Sequence, residues 1–390
     1  MKSSVGTPNF LRAMWSSTDR GRGTRGSPST EHEKLAFSFT QGLFPESAFR
    51  MKPEKKDAWA LSREGLMAGP GRLVSVTKRG FRNILSNKPL CVSFEITHAC
   101  NAQCQHCHRG GPVDENRASP GDFARIYREL SPPVVQVSGG EPLLRDDVLE
   151  VIRALRQPDG TPYTILVTNG SLLTPEGFHQ THEAGIDAYS ISLDYPDDRH
   201  DEFRMIPGLF DHIKDLIGSL APAERRMITL NCVTQSDNFR DALGLASLAL
   251  EWGVSVNFSP YTWLRTQDKG YAIAKEDLPE LREVFRGLLE FQRRHGTVKA
   301  NATFLNNIVA FFDDRSIPGC RAGERFMVVN PDGTLSPCGL IITDYPDRAA
   351  MREGFVKSNS CTACNTSIRA WTERPFSMFF SNIRPSMSSN

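Results

Sequence analysis

The chain reads as an α/β protein built on a parallel sheet, and two observations predict this. Strand-like apolar runs recur at Val92–Thr97, Val134–Val137, Tyr163–Thr168, Ala188–Asp194, Ile228–Thr234 and Ser255–Tyr261. Between them lie amphipathic stretches of helical period at Pro120–Leu130, Asp146–Arg156, Pro175–Ala184, Leu209–Leu220 and Asp241–Trp252. Strands that alternate with helices of this length form βαβ crossovers, which impose parallel pairing.

The first strand runs into Cys100-Asn-Ala-Gln-Cys104-Gln-His-Cys107, three cysteines at CxxxCxxC spacing. Three thiolates so close together can hold three corners of a [4Fe–4S] cube and leave one iron open to a ligand. Structural zinc is the competing reading, with His106 and His108 as further ligands. The second strand ends in Ser138-Gly-Gly-Glu-Pro142. A glycine pair lets the backbone approach another group closely because no Cβ intervenes, and Glu141 can accept a hydrogen bond from an ammonium group.

Together these two segments resemble the radical S-adenosylmethionine (radical SAM) superfamily, in which CxxxCxxC is paired with Gly-Gly-Glu on the next strand. The resemblance implies a partial (β/α)6 TIM-like barrel, with the chemistry at the C-terminal strand ends. It makes Cys100, Cys104 and Cys107 the ligands of the SAM-binding cluster, and Gly139, Gly140 and Glu141 the segment that holds the SAM amine. His106 stands where the family usually has an aromatic residue.

The later strands end in polar groups: Thr168-Asn169-Gly170, Ser192-Leu-Asp194 and Asn231-Cys-Val-Thr234. By the same resemblance Ser192 and Asp194 contact SAM, with Asn169 and Thr234 facing the same cavity. Residues of these types also cap helices and turns. After the fourth strand comes His200-Asp-Glu-Phe-Arg204, followed by Met205 where related sequences have glycine. Arg204 can bind a carboxylate bidentately or form an ion pair with Asp194 or Asp201.

Beyond the barrel, Cys320 and Cys338 flank Asn330-Pro-Asp-Gly333, a tight-hairpin signal, and Cys361-Thr-Ala-Cys364 follows. Four cysteines in two pairs suit tetrahedral zinc as well as an iron–sulfur cluster. Gly333 lies five positions before Cys338. That pattern resembles the auxiliary-cluster extension called SPASM, or Twitch in its shorter form. A full SPASM extension would add cysteines near 370 and 374, where this chain has Ala370 and Arg374. The resemblance therefore implies a single auxiliary [4Fe–4S] cluster on Cys320, Cys338, Cys361 and Cys364. Cys91 and Cys232 fall in apolar runs and read as small buried hydrophobes.

The expected organisation is a disordered tail over 1–50, an extension over 51–88 and a radical SAM core over 89–300. A small C-terminal cluster-binding domain follows over 301–375, then a tail over 376–390. Met51 is an alternative start. Val74–Leu85 is basic and amphipathic and is expected to pack outside the barrel. A net charge of +1 gives no electrostatic case for nucleic acid, and no apolar run reaches membrane-span length. Thiols that serve metal clusters point to a reducing, cytoplasmic setting.

The resemblance further implies S-adenosyl-L-methionine as cofactor, a flavodoxin- or ferredoxin-like electron donor, and hydrogen abstraction by a 5′-deoxyadenosyl radical. The substrate is expected to be a peptide or a small molecule, the latter as in a dehydrogenase of aminoglycoside biosynthesis. A role like that of the molybdopterin enzyme acting on GTP is disfavoured, because that family ends in Gly-Gly and this chain in Met387-Ser-Ser-Asn390. The alternative of a different class is an iron–sulfur electron carrier or a zinc-stabilised binding protein.

Overall fold

Six strands pair in parallel: β1 (Cys91–Thr97), β2 (Val134–Gly139), β3 (Tyr163–Thr168), β4 (Ala188–Ser192), β5 (Ile228–Thr234) and β6 (Ser255–Pro260). The sheet continues past β1 into a hairpin, β7 (Phe326–Val329) and β8 (Leu335–Ser336), giving the order β6-β5-β4-β3-β2-β1-β7-β8. β7 is parallel to β1, and β8 is antiparallel to β7. The sheet is open. This computed structural model describes residues 70–373 other than Gln105 and His108. The expectations for residues 1–50 and 376–390, for most of 51–88, and for His108 lie outside the described residues.

Alternation along the strands divides the two faces. Val92, Phe94, Ile96, Val135, Val137, Leu166, Tyr189, Ile191, Leu230, Val256 and Phe258 join the apolar core. The residues out of phase with them include Ser93, Glu95, Ser138, Ser192, Asn231, Asn257 and Ser259. The inner face is thus polar: Ser93 and Ser138 hydroxyls lie 2.6 Å apart, and Asn257 Nδ2 donates to Asn231 Oδ1 at 2.8 Å.

The helices packed on the apolar face start where the sequence supplies caps. In α2 (Pro120–Leu130) the Ser119 hydroxyl accepts from the Asp122 amide while Asp122 reaches back to Ser119, with proline at the first turn. In α4 (Pro175–Ala184) Thr174 accepts from Gly177 N, and Gly185 closes the last turn at φ 136°. The other crossovers are α3 (Val148–Leu155), α5 (Arg199–Arg204), α6 (Leu209–Ser219) and α7 (Ala242–Trp252). The sequence reading of one helix over Asp146–Arg156 loses its ends, because the Arg145 side chain binds Asp147 and the backbone leaves helical angles at Arg156. Preceding the sheet, α1 (Pro70–Leu85) is anchored by Arg72, which pairs with Asp187 at 2.5 Å. Beyond the barrel come α8 (Leu278–His295), α9 (Ala302–Asp314), α10 (Arg348–Gly354) and α11 (Ser367–Glu373).

Candidate active site

The cysteine loop leaves β1 at Thr97 and is held from below. Glu115 accepts from Thr97 Oγ1 at 2.5 Å and from the His98 amide at 2.8 Å. The glycine pair then locks β2 against the same loop. Gly140 N donates to Thr97 O and Glu141 N to Ala99 O, both at 2.8 Å. A Cβ on Gly139 would lie 2.0 Å from Thr97 O, and one on Gly140 would lie 2.1 Å from Ala99 O. Both glycines are required because two backbones touch there, and Gly139 also holds φ 144°.

Glu141 is fully buried, and its carboxylate accepts from Leu143 N, Thr168 Oγ1 and Asn169 N at 3.2, 2.8 and 2.7 Å. Burial nevertheless pushes its carboxyl up to about 7. In this arrangement Glu141 ties the end of β2 to the end of β3. Asn169 in turn reaches the cysteine loop, with Nδ2 2.9 Å from Asn101 Oδ1 and 3.9 Å from Cys100 Sγ.

The three thiols lie close enough that Cys104 and Cys107 raise the Cys100 thiol, although burial is the larger cause, lifting it to about 11. Each sulfur has donors nearby. Ala102 N lies 3.4 Å from Cys100 Sγ, Arg109 N 3.4 Å from Cys107 Sγ, and Arg204 Nη1 3.5 Å from Cys104 Sγ. Donors aimed at sulfur stabilise thiolates, the form that ligates metal. His106 stacks on Phe203 with centroids 4.9 Å apart, so it fills the aromatic position as a ring. Burial lowers it to about 4, which keeps that ring neutral.

Arg204 is held by Asp194, with Nη2 and Nε donating to Oδ2 at 2.5 and 2.9 Å. Asp194 also accepts from Val233 N at 2.9 Å and is fully buried. The expected ion pair with Asp194 therefore forms, and it extends to Cys104. Ser192 ends β4 on the inner face. Thr234 stands in phase with Leu230 and Cys232, buried on the opposite side of β5, and is not brought together with the others.

The second cysteine group draws on three separate segments. The Cys320 and Cys361 thiols hydrogen-bond, which lowers Cys361 and raises Cys320. Cys338 and Cys364 are near enough to interact, and burial raises both thiols. Asn359 bridges the pair by donating to Cys320 O at 2.8 Å and accepting from Cys361 N at 3.0 Å. Arg369, fully buried in α11, donates to Cys364 O, Ile317 O and Pro318 O at 2.6, 2.8 and 3.0 Å and to Glu373 at 3.0 Å. Its Nη1 also lies 3.9 Å from Cys364 Sγ.

Among the described residues, no three His, Cys, Asp or Glu side chains converge on one point closely enough for a single metal ion. A four-iron cube binds one cysteine per iron and so spreads its ligands wider than a lone ion does. The donor sets, three thiols and four thiols with N–H groups and guanidiniums beside the sulfurs, fit such clusters chemically.

Sequence reasoning missed several positioning residues, among them Glu95, Arg109, Arg265, Glu115, Asn359 and Arg369. Glu95 alone carried a visible signal, as a carboxylate inside an apolar strand.

Residues 94–239 match the family model of the Radical SAM superfamily. The AdoMet-dependent heme synthase of Nitratidesulfovibrio vulgaris is 25% identical over 300 residues, covering 69% of this chain and 79% of that protein. That of Methanosarcina barkeri is 27% identical over 288 residues, covering 66% and 78%. A probable GTP 3′,8-cyclase of Pyrococcus abyssi is 36% identical, but over 139 residues and 42% of its length. Among solved structures, Streptococcus suis SuiB bound to precursor peptide SuiA aligns with TM-score 0.53 at 17% identity, covering 92% of this chain and 79% of that one. Native anSMEcpe with bound AdoMet and Cp18Cys peptide aligns with TM-score 0.53 at 15% identity, covering 75% and 96%. At such identities the structures speak for the fold. The chain carries a radical SAM domain over residues 94–239. It is an enzyme of SAM-derived radical chemistry, carrying the [4Fe–4S] cluster and SAM that the superfamily uses. No helix among the described residues is long and apolar enough to cross a membrane.

Proposed function

We propose that this is a two-cluster radical SAM enzyme that abstracts hydrogen from a small-molecule substrate and oxidises it. Cys100, Cys104 and Cys107 would hold the SAM-binding cluster, within a core spanning 89–300. Cys320, Cys338, Cys361 and Cys364 would hold an auxiliary [4Fe–4S] cluster in a SPASM/Twitch-like segment over 301–375. One observation carries the reading. Arg265 links the two cysteine loops, its Nη2 donating to Gly339 O beside Cys338 while its Nη1 lies 4.0 Å from Cys107 Sγ.

Bound in these places, the clusters and SAM supply one-electron reductive cleavage of the sulfonium and an acceptor for the electron left on substrate. The chain's own residues position and insulate. Gly139 and Gly140 hold β2 to the cysteine loop, Asp194 orients Arg204 on Cys104, and Ser192 offers a hydroxyl on the inner face for the SAM carboxylate or ribose. Asn257 and Ser259 meet the Ser367 hydroxyl of α11, with Asn257 Nδ2 at 2.9 Å, which covers the β6 side of the inner face.

The small-molecule class is favoured over a peptide because relatives aligned over 288 to 300 residues bear the name of a heme synthase. The peptide-bound neighbours share the fold alone. The setting is cytoplasmic, with a flavodoxin- or ferredoxin-like donor.

Anaerobically reconstituted protein given dithionite and SAM is expected to release 5′-deoxyadenosine and to contain about eight irons per chain, two cubes of four. Release that persists in Cys104→Ala, or stoichiometric zinc in place of iron, would overturn the reading.

A further inference from the structure

We propose that Arg109 and Arg265 form a carboxylate-binding site on the inner face, between the two cysteine loops, and that the substrate is a carboxylate-bearing molecule. This deepens the reading above and rests on it. Arg109 follows Cys107 in sequence and donates through Nη2 to Glu95 Oε2 at 2.7 Å. Arg265, in the segment after β6, lies with Nη2 3.8 Å from Glu95 Oε1. Its Nη2 also donates to Gly339 O, beside Cys338, and its Nη1 lies 4.0 Å from Cys107 Sγ. Two guanidiniums from opposite sides of the site thus converge on one carboxylate, with the two cysteine loops at their backs.

The donors here exceed the acceptors. A guanidinium carries more N–H groups than Glu95, one carbonyl and one sulfur can fill. The Nε atoms of both Arg109 and Arg265 are buried without a partner. A buried N–H left unmade costs free energy, so a site that leaves two of them open is under-filled. A thiolate at Cys107 would balance the charge but would leave the donors open, so unfilled directional donors carry the argument. Both arginine side chains keep 14% exposure, so a ligand oxygen can reach the outer N–H groups of the guanidiniums, though not the buried Nε atoms. Paired guanidiniums match a planar carboxylate in shape and charge. Glu95 then acts as the resident acceptor that holds the arginines apart and in place until a ligand shares them.

Equilibrium dialysis of [14C]succinate against the anaerobically reconstituted full chain, with and without SAM, tests this. Arg109→Gln and Arg265→Gln are expected to weaken binding at least about tenfold, as removal of a charge-assisted pair does. Glu95→Gln is expected to tighten it several-fold, because a competing carboxylate is gone. The opposite signs matter, since a purely structural network would loosen in all three variants. Glu95→Gln decides the matter by itself should an arginine variant lose iron. Unchanged or weaker binding in Glu95→Gln overturns the proposal. So does displacement of succinate by SAM, which would assign the anion site to the carboxylate of SAM. Release of 5′-deoxyadenosine by the same preparation is read independently, so a failed anion site and a failed radical SAM reading remain distinguishable.

Discussion

The two cysteine groups gather their thiols by opposite structural routes. The first is local: Cys100, Cys104 and Cys107 sit in one loop, which Glu115 and the Gly139–Gly140 backbone clamp to the ends of β1 and β2. The second is assembled: Cys320, Cys338 and the pair Cys361 and Cys364 come from separate segments drawn together by Arg369 and Asn359. Each group has a buried arginine near a sulfur, but the two arginines do different work. Arg204 is fixed by a carboxylate, Asp194, and reaches a sulfur. Arg369 spends most of its donors on backbone carbonyls and so acts first as a staple. A loop that is close in sequence needs orientation, whereas a site built from distant segments needs cross-linking.

The largest effect expected from this contrast is that of Arg369→Ala. Removing a buried cation that satisfies several carbonyls leaves those acceptors unpaired, at a cost of about 3–5 kcal/mol. Iron per chain is expected to fall by about half, a single cube being lost, while 5′-deoxyadenosine is still released. Loss of both clusters together would show that the two sites are not independent.

Next in size is the pH dependence set by Glu141 at the rim of the first site. Its carboxyl is raised from an ordinary 4.5 to about 7 by burial. A carboxyl with a raised folded-state value binds more protons folded than unfolded between those values. Stability of the cluster-free protein should therefore fall as pH rises from about 4.5 to about 7 and then level off. The full span is of order 3 kcal/mol at most. Denaturant midpoints across that range in the wild type and in Glu141→Gln check it, since the variant should lose this slope. An unchanged slope would mean that the donors from Leu143, Thr168 and Asn169 keep the carboxylate ionised.

The smallest effect concerns the Arg204 contact with Cys104. One charge-assisted hydrogen bond of about 1.5 kcal/mol corresponds to about 60 mV for a one-electron couple. Arg204→Gln should lower the midpoint potential of the SAM-binding cluster by that order, because the cation favours the reduced, more negative state. Potentiometric titration followed by EPR reads this directly, and an unchanged potential would reduce Arg204 to a packing role.

Legibility in the sequence followed sequence distance. The six parallel strands are where alternation of apolar runs with amphipathic stretches placed them, shifted at their ends by a residue or two. The Gly-Gly pair was readable as a close backbone approach, but its partner was not: the touching groups are Thr97 O and Ala99 O rather than open space. Thr234 read as facing the cavity because it ends a strand; the two-residue period of β5 instead sends it to the core side with Cys232.

By itself the sequence determined the periodicity, hence the parallel α/β sheet, and the local cysteine spacing, hence the thiol-rich loop after β1. Both depend on neighbours within a few residues, where backbone geometry leaves little choice. Only the tertiary structure decided that β7 joins the edge of β1, that Asp194 aims Arg204 at Cys104, and that Arg109 and Arg265 meet over Glu95. Those contacts cross from ten residues to more than two hundred residues of chain, and they are chosen by which buried donors and acceptors find each other once the sheet has formed.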